Sequence, residues 1–130
     1  MNDEQKPTGR PPAQDLAERT KQFALSVIDL YSRLPGTTLA QVMGRQLLKA
    51  GTSVSAQYRE ARRAKSDADF ISKIEGALQE LEETAYWLEL MEGSRVIAVT
   101  DAKPLQTEAN ELTAILVASV RTVKKRKRHS

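Results

Sequence analysis

The patterned part of the chain opens with a helical stripe. Apolar side chains recur every three or four residues, which is the spacing of one face of an α-helix; they are Leu16, Phe23, Val27, Leu30 and Leu34, with one polar interruption at Thr20. Pro35 and Gly36 follow directly. Because proline disfavours helix at the preceding residue and glycine readily adopts a positive φ, the pattern predicts that a first helix ends here.

Two more stripes of the same spacing predict a second and a third helix. We expect the second to begin at Thr38, because Gln41 stands three residues later as in a capping box. Ser66 followed by Asp69 predicts the start of the third helix, and Gly93 its end. The two stripes consist of Met43, Leu47, Ala50, Val54 and Ala61, with Tyr58 beside them, and of Phe70, Ile74, Ala77, Leu81, Leu88 and Met91.

Residues 95–103 are the least regular part. Val96 to Val99 have the β-propensity of a strand, but a single strand has no partner here, so we interpret the run as an apolar connector over one end of the fold. Thr100 or Asp101 is expected to cap a fourth helix, with Pro104 in its first turn, where no intrahelical donor is lost. Its stripe consists of Leu105, Ala109, Leu112, Leu116 and Val123, with Ile115 and Val120 alongside.

Four amphipathic helices with short connections predict an all-α protein, an antiparallel up-down-up-down four-helix bundle. Residues 1–13 are polar and rich in proline, and they are expected to form a disordered arm. The bundle is expected to span residues 14–124, followed by a basic C-terminal tail, residues 125–130.

Composition narrows the class of protein. No run approaches the ~18 apolar residues of a membrane-spanning helix, and the first residues lack the apolar segment of a secretory signal. The 130 residues include no cysteine, which excludes disulfides and thiolate zinc sites. We therefore expect a cytoplasmic protein with no membrane partner.

The sequence contains little that indicates catalysis. The one histidine, His129, stands in the tail. There is no Glu-x-x-His pair of a di-metal bundle, no Gly-rich phosphate loop and no Ser/His/Asp set. We therefore predict that the chain is not an enzyme and has no metal site and no cofactor.

Positive charge is concentrated in two clusters, although the net charge is only +3. The α2 cluster, at the end of the second helix, is Arg59, Arg62, Arg63 and Lys65; the α4 cluster, near the end of the chain, is Lys124, Lys125, Arg126, Lys127 and Arg128. Cations suit a helix C-terminus, and a charge run is commonly only a solvated surface. In an antiparallel bundle, however, the second and fourth helices end on the same side, so we expect the clusters to be neighbours that bind the phosphates of a nucleic acid.

Aromatic side chains are scarce near these clusters, where only Tyr58 is close in sequence. Recognition of the nucleic-acid backbone or shape is therefore favoured over the reading of bases.

Two other features suggest contact with partners. The second helix has a face of small residues, Ala40, Gly44, Gly51 and Ser55, and each interior glycine costs about 1 kcal/mol relative to alanine. Such a face indicates close helix approach, either inside the bundle or between subunits. Trp87 lies off the main stripe of the third helix, which predicts a contact with a partner.

The third helix is acidic: residues 66–92 carry eight acids and one base. This is either a solvated face or a surface for the basic second helix of another copy. Complementary surfaces of that kind close into a ring.

The middle of the chain resembles a known family. The run QLLKAGTSVSAQYREA, residues 46–61, is similar to the signature Q-L-[LI]-R-A-x-x-S-[VI]-x-x-N-I-x-E-G of the bacterial four-helix-bundle family of ribosomal RNA intervening-sequence proteins. Further matches at the third helix are Ser66, Phe70, Ala77, Glu80 and Leu81. Gln57, Tyr58 and Ala61 are among the residues at which the chain departs from the pattern. The resemblance extends over residues 16–123.

The resemblance implies a homopentamer with a basic surface, encoded within inserts of large-subunit ribosomal RNA genes or standing alone. A related architecture is the accessory variability protein of diversity-generating retroelements, a basic pentamer that binds the reverse transcriptase and its template RNA. Our first hypothesis is a non-enzymatic oligomeric scaffold that binds nucleic acid, in particular structured RNA, through the basic clusters. The alternative is a protein-interaction adaptor, such as an accessory subunit of a reverse transcriptase, that uses Trp87 and the small face.

Overall fold

The computed structural model describes residues 13–128, and side chains over residues 16–126. Within these residues the chain forms α1 (Ala13–Ser32), α2 (Thr38–Arg62), α3 (Asp67–Gly93) and α4 (Val99–Arg128), and no strand. Each helix packs against its neighbours in the chain, and α1 also contacts α4. The predicted all-α, up-down-up-down four-helix bundle is confirmed.

The stripe of α1 lies in the core as predicted. Phe23, Val27 and Leu30 are almost fully buried. The polar interruption at Thr20 is buried as well, and its hydroxyl donates a hydrogen bond to the carbonyl oxygen of Leu16 at 2.8 Å. The threonine therefore fits the core without leaving an unsatisfied polar group.

The N-cap of α2 is Thr37, one residue earlier than predicted. Thr37 has an extended backbone, and its side chain accepts a hydrogen bond from the amide of Ala40 at 3.2 Å. Thr38 is already helical, and the amide nitrogen of Gln41's side chain donates to the carbonyl of Pro35 at 2.9 Å. The predicted capping box is therefore wrong, because the residue that caps the helix is Thr37 and not Thr38.

Both ends of α3 agree with the sequence. Ser66 is the N-cap, and its hydroxyl oxygen accepts from the amide of Asp69 at 3.0 Å. The helix ends at Gly93, after which Arg95 adopts a positive φ of 65°. The amide of Val96 then donates back to the carbonyl of Met91 at 2.8 Å, which reverses the chain toward α4.

α4 begins at Val99, earlier than either predicted cap, Thr100 or Asp101. The carbonyl of Ala98 accepts from the amide of Asp101 at 3.0 Å and so starts the helical bonding. As a result, Pro104 is the sixth residue of the helix rather than part of its first turn. The preceding connector forms no strand.

The predicted domain bounds differ from the helix ends. α4 continues to Arg128, so the predicted boundary between bundle and tail at residue 124 is not a helix end. Of the predicted arm, residues 1–12 lie outside the described residues, and Ala13 already belongs to α1. Within residues 13–128, no helical segment combines the length and apolar character needed to cross a bilayer.

Candidate nucleic-acid interface

The α2 cluster is exposed to solvent. Arg59, Arg62, Arg63 and Lys65 are all exposed, and Arg63 also ends the helix, with its amide donating to the carbonyl of Glu60 at 3.0 Å. None of the four side chains forms an ion pair with another residue of the described part of the chain. Among the side chains that the structure describes, no acid neutralises the charges of this cluster directly.

The α4 cluster is helical and partly paired. Arg126 forms an ion pair with Asp67 at 3.2 Å, and Lys124 lies 3.5 Å from a carboxylate oxygen of Glu75. Both pairs are exposed, and such pairs contribute at most about 1 kcal/mol each. Lys125 is exposed, while the side chains of Lys127 and Arg128 lie outside the described residues.

The two clusters meet at one end of the bundle. An open cavity of about 840 Å³, the end cleft, lies where the C-terminal parts of α2 and α4 meet the start of α3. Arg62 and Lys65 line it from the α2 side and Arg126 from α4. The predicted proximity of the clusters is thus confirmed for these residues. Arg59 and Arg63 line a separate depression together with Arg62.

The interior of the end cleft is mainly apolar. Its larger side chains are Leu16, Tyr58, Phe70, Ile115 and Val123, and its small ones include Ala61, Ala114, Ala118 and Ser119. The small side chains of α4 leave space that larger ones would fill. Sequence reasoning missed this cleft, although two alanines four residues apart beside the apolar stripe of α4 were a signal for it.

Tyr58 is a buried aromatic residue of the cleft wall. It is only 5% exposed. Burial raises the pKa of its hydroxyl, and the positive charge of Arg62 opposes this effect. Tyr58 therefore stays protonated and neutral near physiological pH, beside the cations of the α2 cluster.

The small face of α2 packs inside the bundle. A Cβ added at Gly51 would lie 2.7 Å from a methyl carbon of Val27, and one added at Gly44 would collide with Leu34. Ala40 is fully buried. The glycines thus admit α1 of the same chain, and the subunit contact predicted for Ala40, Gly44 and Gly51 is wrong because these residues have no surface left for a partner.

The remaining predicted partner contacts, Ser55 and Trp87, are both half-buried. Trp87 packs partly against the core. Its ring lies edge-on to that of Tyr86, with ring centroids 5.5 Å apart, and Tyr86 is 53% exposed. A role of Ser55 or Trp87 in a partner contact stays a prediction. Sequence reasoning overlooked Tyr86, the more exposed ring of the pair.

Some of the acidic side chains of α3 form ion pairs within their own chain. Asp67 and Glu75 pair with α4, and in the reverse direction Lys73 of α3 lies 3.3 Å from Glu60 of α2. Contact of this acidic face with another copy stays a prediction. Within the described residues no group of three or more His, Asp or Glu side chains is placed to hold a metal ion.

Fold and site together define a class: a four-helix-bundle protein with two basic clusters that meet at one end. The chain belongs to the family of 23S rRNA-intervening sequence proteins, whose sequence profile matches residues 13–118. The match includes the α2 cluster and ends before the α4 cluster. The family resemblance predicted from the central motif is therefore confirmed.

A solved structure agrees with this assignment. The chain is similar to a protein of unknown function from the S23 ribosomal protein family of Bacteroides thetaiotaomicron, with 33% sequence identity and a TM-score of 0.79. The similarity covers 84% of this chain and 97% of that one. A search of curated proteins found no match.

Proposed function

We propose that this chain binds structured RNA through the basic end of its bundle and acts by binding, without catalysis. The observation that carries the proposal is the convergence of Arg62 and Lys65 from α2 with Arg126 from α4 around one cleft. Residues far apart in the sequence supply these charges, so the field at this end is stronger than either cluster alone produces. The family name, which refers to 23S rRNA, supports ribosomal RNA hairpins as the first ligands to test.

The two clusters differ in whether their cations already form ion pairs. The side chains of the α2 cluster form no ion pair within the described residues, so they contact phosphate without first giving up a partner. Arg126 and Lys124 must exchange Asp67 and Glu75 for phosphate. Because those pairs are exposed and weak, the exchange costs little. The α2 cluster is therefore the primary contact and the α4 cluster the secondary one.

The test is the affinity for an RNA hairpin as a function of salt concentration. Each cation that contacts a phosphate of a duplex contributes about 0.9 to the slope of log affinity against log salt. Removing two contacting charges with Arg62→Ser and Arg63→Ser should lower that slope by about 2 and weaken binding to all sequences alike.

A matched control removes the same charge elsewhere. Arg45→Ser with Lys103→Ser takes two exposed cations from the N-terminal halves of α2 and α4, toward the opposite end of the bundle. It should leave the slope almost unchanged. Equal effects of the two double variants would mean that only net charge matters, and binding that is insensitive to salt would refute the proposal altogether.

We further propose that the RNA-binding unit is an assembly of identical chains, as the family resemblance implies. Light scattering gives the test, since five chains of 14.5 kDa amount to about 72 kDa. A mass near that value, which increases on addition of RNA and reverts at high salt, is expected. A monomer that is indifferent to RNA would contradict both parts of the proposal.

A second candidate function is a protein adaptor, which the aromatic pair on α3 favours. Tyr86 and Trp87 place an exposed ring against a half-buried one, and aromatic residues are enriched among the strong contacts of protein interfaces. A reverse transcriptase, the partner class that the related architecture implies, is the protein to test. Tyr86→Ala should weaken such a complex and leave helix content unchanged, whereas unchanged complex formation by both Tyr86→Ala and Trp87→Ala would remove this candidate.

A further inference from the structure

The end cleft has a lining that phosphate binding alone does not require. Phosphates need exposed cations, and the α2 cluster provides them outside the cleft as well. Beside those cations lies a largely apolar cavity of about 840 Å³. This volume is within the range of small-molecule sites in proteins, roughly 300–1,000 Å³.

We propose that the end cleft receives one unpaired nucleotide of the bound RNA. The base enters the apolar interior, and its phosphate lies against the cations at the rim. The inference rests on the proposed RNA-binding function and goes beyond it, because it assigns a site for a base at a surface that otherwise recognises only the backbone.

The cleft wall has the chemistry that an unstacked base needs. A base that leaves its stack loses contact on both faces and gains it back from aromatic or aliphatic side chains. Phe70 is half-buried at the start of α3, and Ile115 and Val123 line the cleft from α4. The small side chains Ala118 and Ser119 leave the space between these walls open.

The charges at the rim orient the nucleotide. Arg62 and Lys65 are exposed on one side and form no ion pair within the described residues. On the other side Arg126 is paired with Asp67, whose carboxylate repels phosphate. The phosphate therefore lies on the side of Arg62 and Lys65, with the base directed between α3 and α4.

Unpaired nucleotides fit this site better than paired ones. A base in an A-form duplex is stacked on both faces and its edge lies in a groove, so it cannot enter a cavity without being extruded. A nucleotide in a loop or bulge is less fully stacked, so its base loses little stacking energy when it enters the cleft. The site thus favours hairpins with an unpaired base over continuous duplex.

The experiment compares two RNA hairpins that differ by one base. The first hairpin is intact. The second is one of a set with the same sequence, in each of which an abasic nucleotide replaces a different nucleotide of the loop. The phosphates are identical, so backbone contacts are preserved. We expect the wild-type protein to bind the intact hairpin about tenfold more tightly than the abasic hairpin at one position.

Filling the cleft should abolish this difference. Ala118→Leu adds three carbon atoms to a wall residue that is exposed within the cleft. The variant should bind the intact hairpin as weakly as wild type binds the abasic one, with no further loss on removal of the base. Thr107→Leu, an exposed position on the same helix outside the cleft, is the matched control and should behave as wild type. If Ala118→Leu loses helix content, Ser119→Leu replaces it.

The outcomes separate the two proposals. Equal affinity of wild type for the intact and every abasic hairpin, with a steep salt dependence for both, overturns the base site and leaves RNA binding in place. The same holds if Ala118→Leu weakens both hairpins equally. If the wild-type protein shows salt-dependent binding to neither the intact nor the abasic hairpin, RNA binding and the base site are both overturned. Specific, Ala118→Leu-sensitive binding of a fatty acid without any effect of the abasic nucleotide would instead make the cleft a site for an anionic amphiphile.

Discussion

Replacing Gly51 by alanine tests how closely α1 and α2 approach each other. The added Cβ would lie 2.7 and 2.9 Å from the two methyl carbons of Val27 and 3.1 Å from its Cβ. Val27 is fully buried. Because its side chain is β-branched and stiff at χ1, it cannot rotate away from the new methyl group.

Two opposing effects set the magnitude. Alanine in a helix interior is favoured over glycine by about 1 kcal/mol. Extra volume in a well-packed core costs about 1–3 kcal/mol, and the rigidity of Val27 argues for the upper part of that range. We therefore expect Gly51→Ala to lower the free energy of unfolding by about 1–2 kcal/mol, although helix propensity alone predicts an increase.

Urea denaturation followed by circular dichroism measures the effect. With a slope near 1.5 kcal/mol per molar urea, the midpoint should fall by about 1 M. Gly93→Ala is the matched control, because it also places alanine in a helix but its added Cβ meets no atom within 4 Å. That variant should be unchanged or up to about 1 kcal/mol more stable.

A double-mutant cycle identifies the cause. Val27→Ala removes the two methyl groups that collide with the new Cβ, so Gly51→Ala should cost less in that background, with a coupling of about 1 kcal/mol or more. A Gly51→Ala variant as stable as wild type, or a cycle without coupling, would refute the argument that this glycine is required by the close contact with α1.

Three further predictions concern caps, backbone and charge. Arg95→Gly should raise stability by about 1 kcal/mol in thermal denaturation and Arg95→Ala should not, because only glycine adopts the φ of 65° without steric cost. Thr37→Ala should cost about 1 kcal/mol and Thr38→Ala almost nothing, and the reverse order would contradict the observed cap. Burial, and secondly the charge of Glu83, raises the pKa of Glu80 above its usual 4.5, so the folded state retains this proton to higher pH than the unfolded state does. The free energy of unfolding should therefore fall as pH rises from the pKa of Glu80 in the unfolded state to its higher pKa in the folded state. Glu80→Gln should be more stable than wild type at pH 7, and the difference should vanish at pH 3; a pH-independent difference would exclude this cause.

Local patterns in the sequence determined the secondary structure and its order. A helical stripe depends only on residues three and four positions apart, and the Ser66 cap depends on an amide three residues on, so both are readable without knowledge of the fold. The shared end of the two basic clusters also followed from the sequence, because alternating helix direction in a bundle places the ends of α2 and α4 together. The family motif in residues 46–61 indicated the same four-helix bundle independently of the helical stripes.

Features that depend on contacts between distant residues needed the tertiary structure. The glycines of α2 indicated a close approach, but a glycine does not specify which surface fills its space. Here Val27 of α1 lies against Gly51, and Leu34, in the connection that follows α1, lies against Gly44. The pairing of Arg126 with Asp67 joins residues 59 positions apart. The end cleft is the volume that four helices leave between them, and such a volume is set by how the helices pack rather than by any one segment of the sequence.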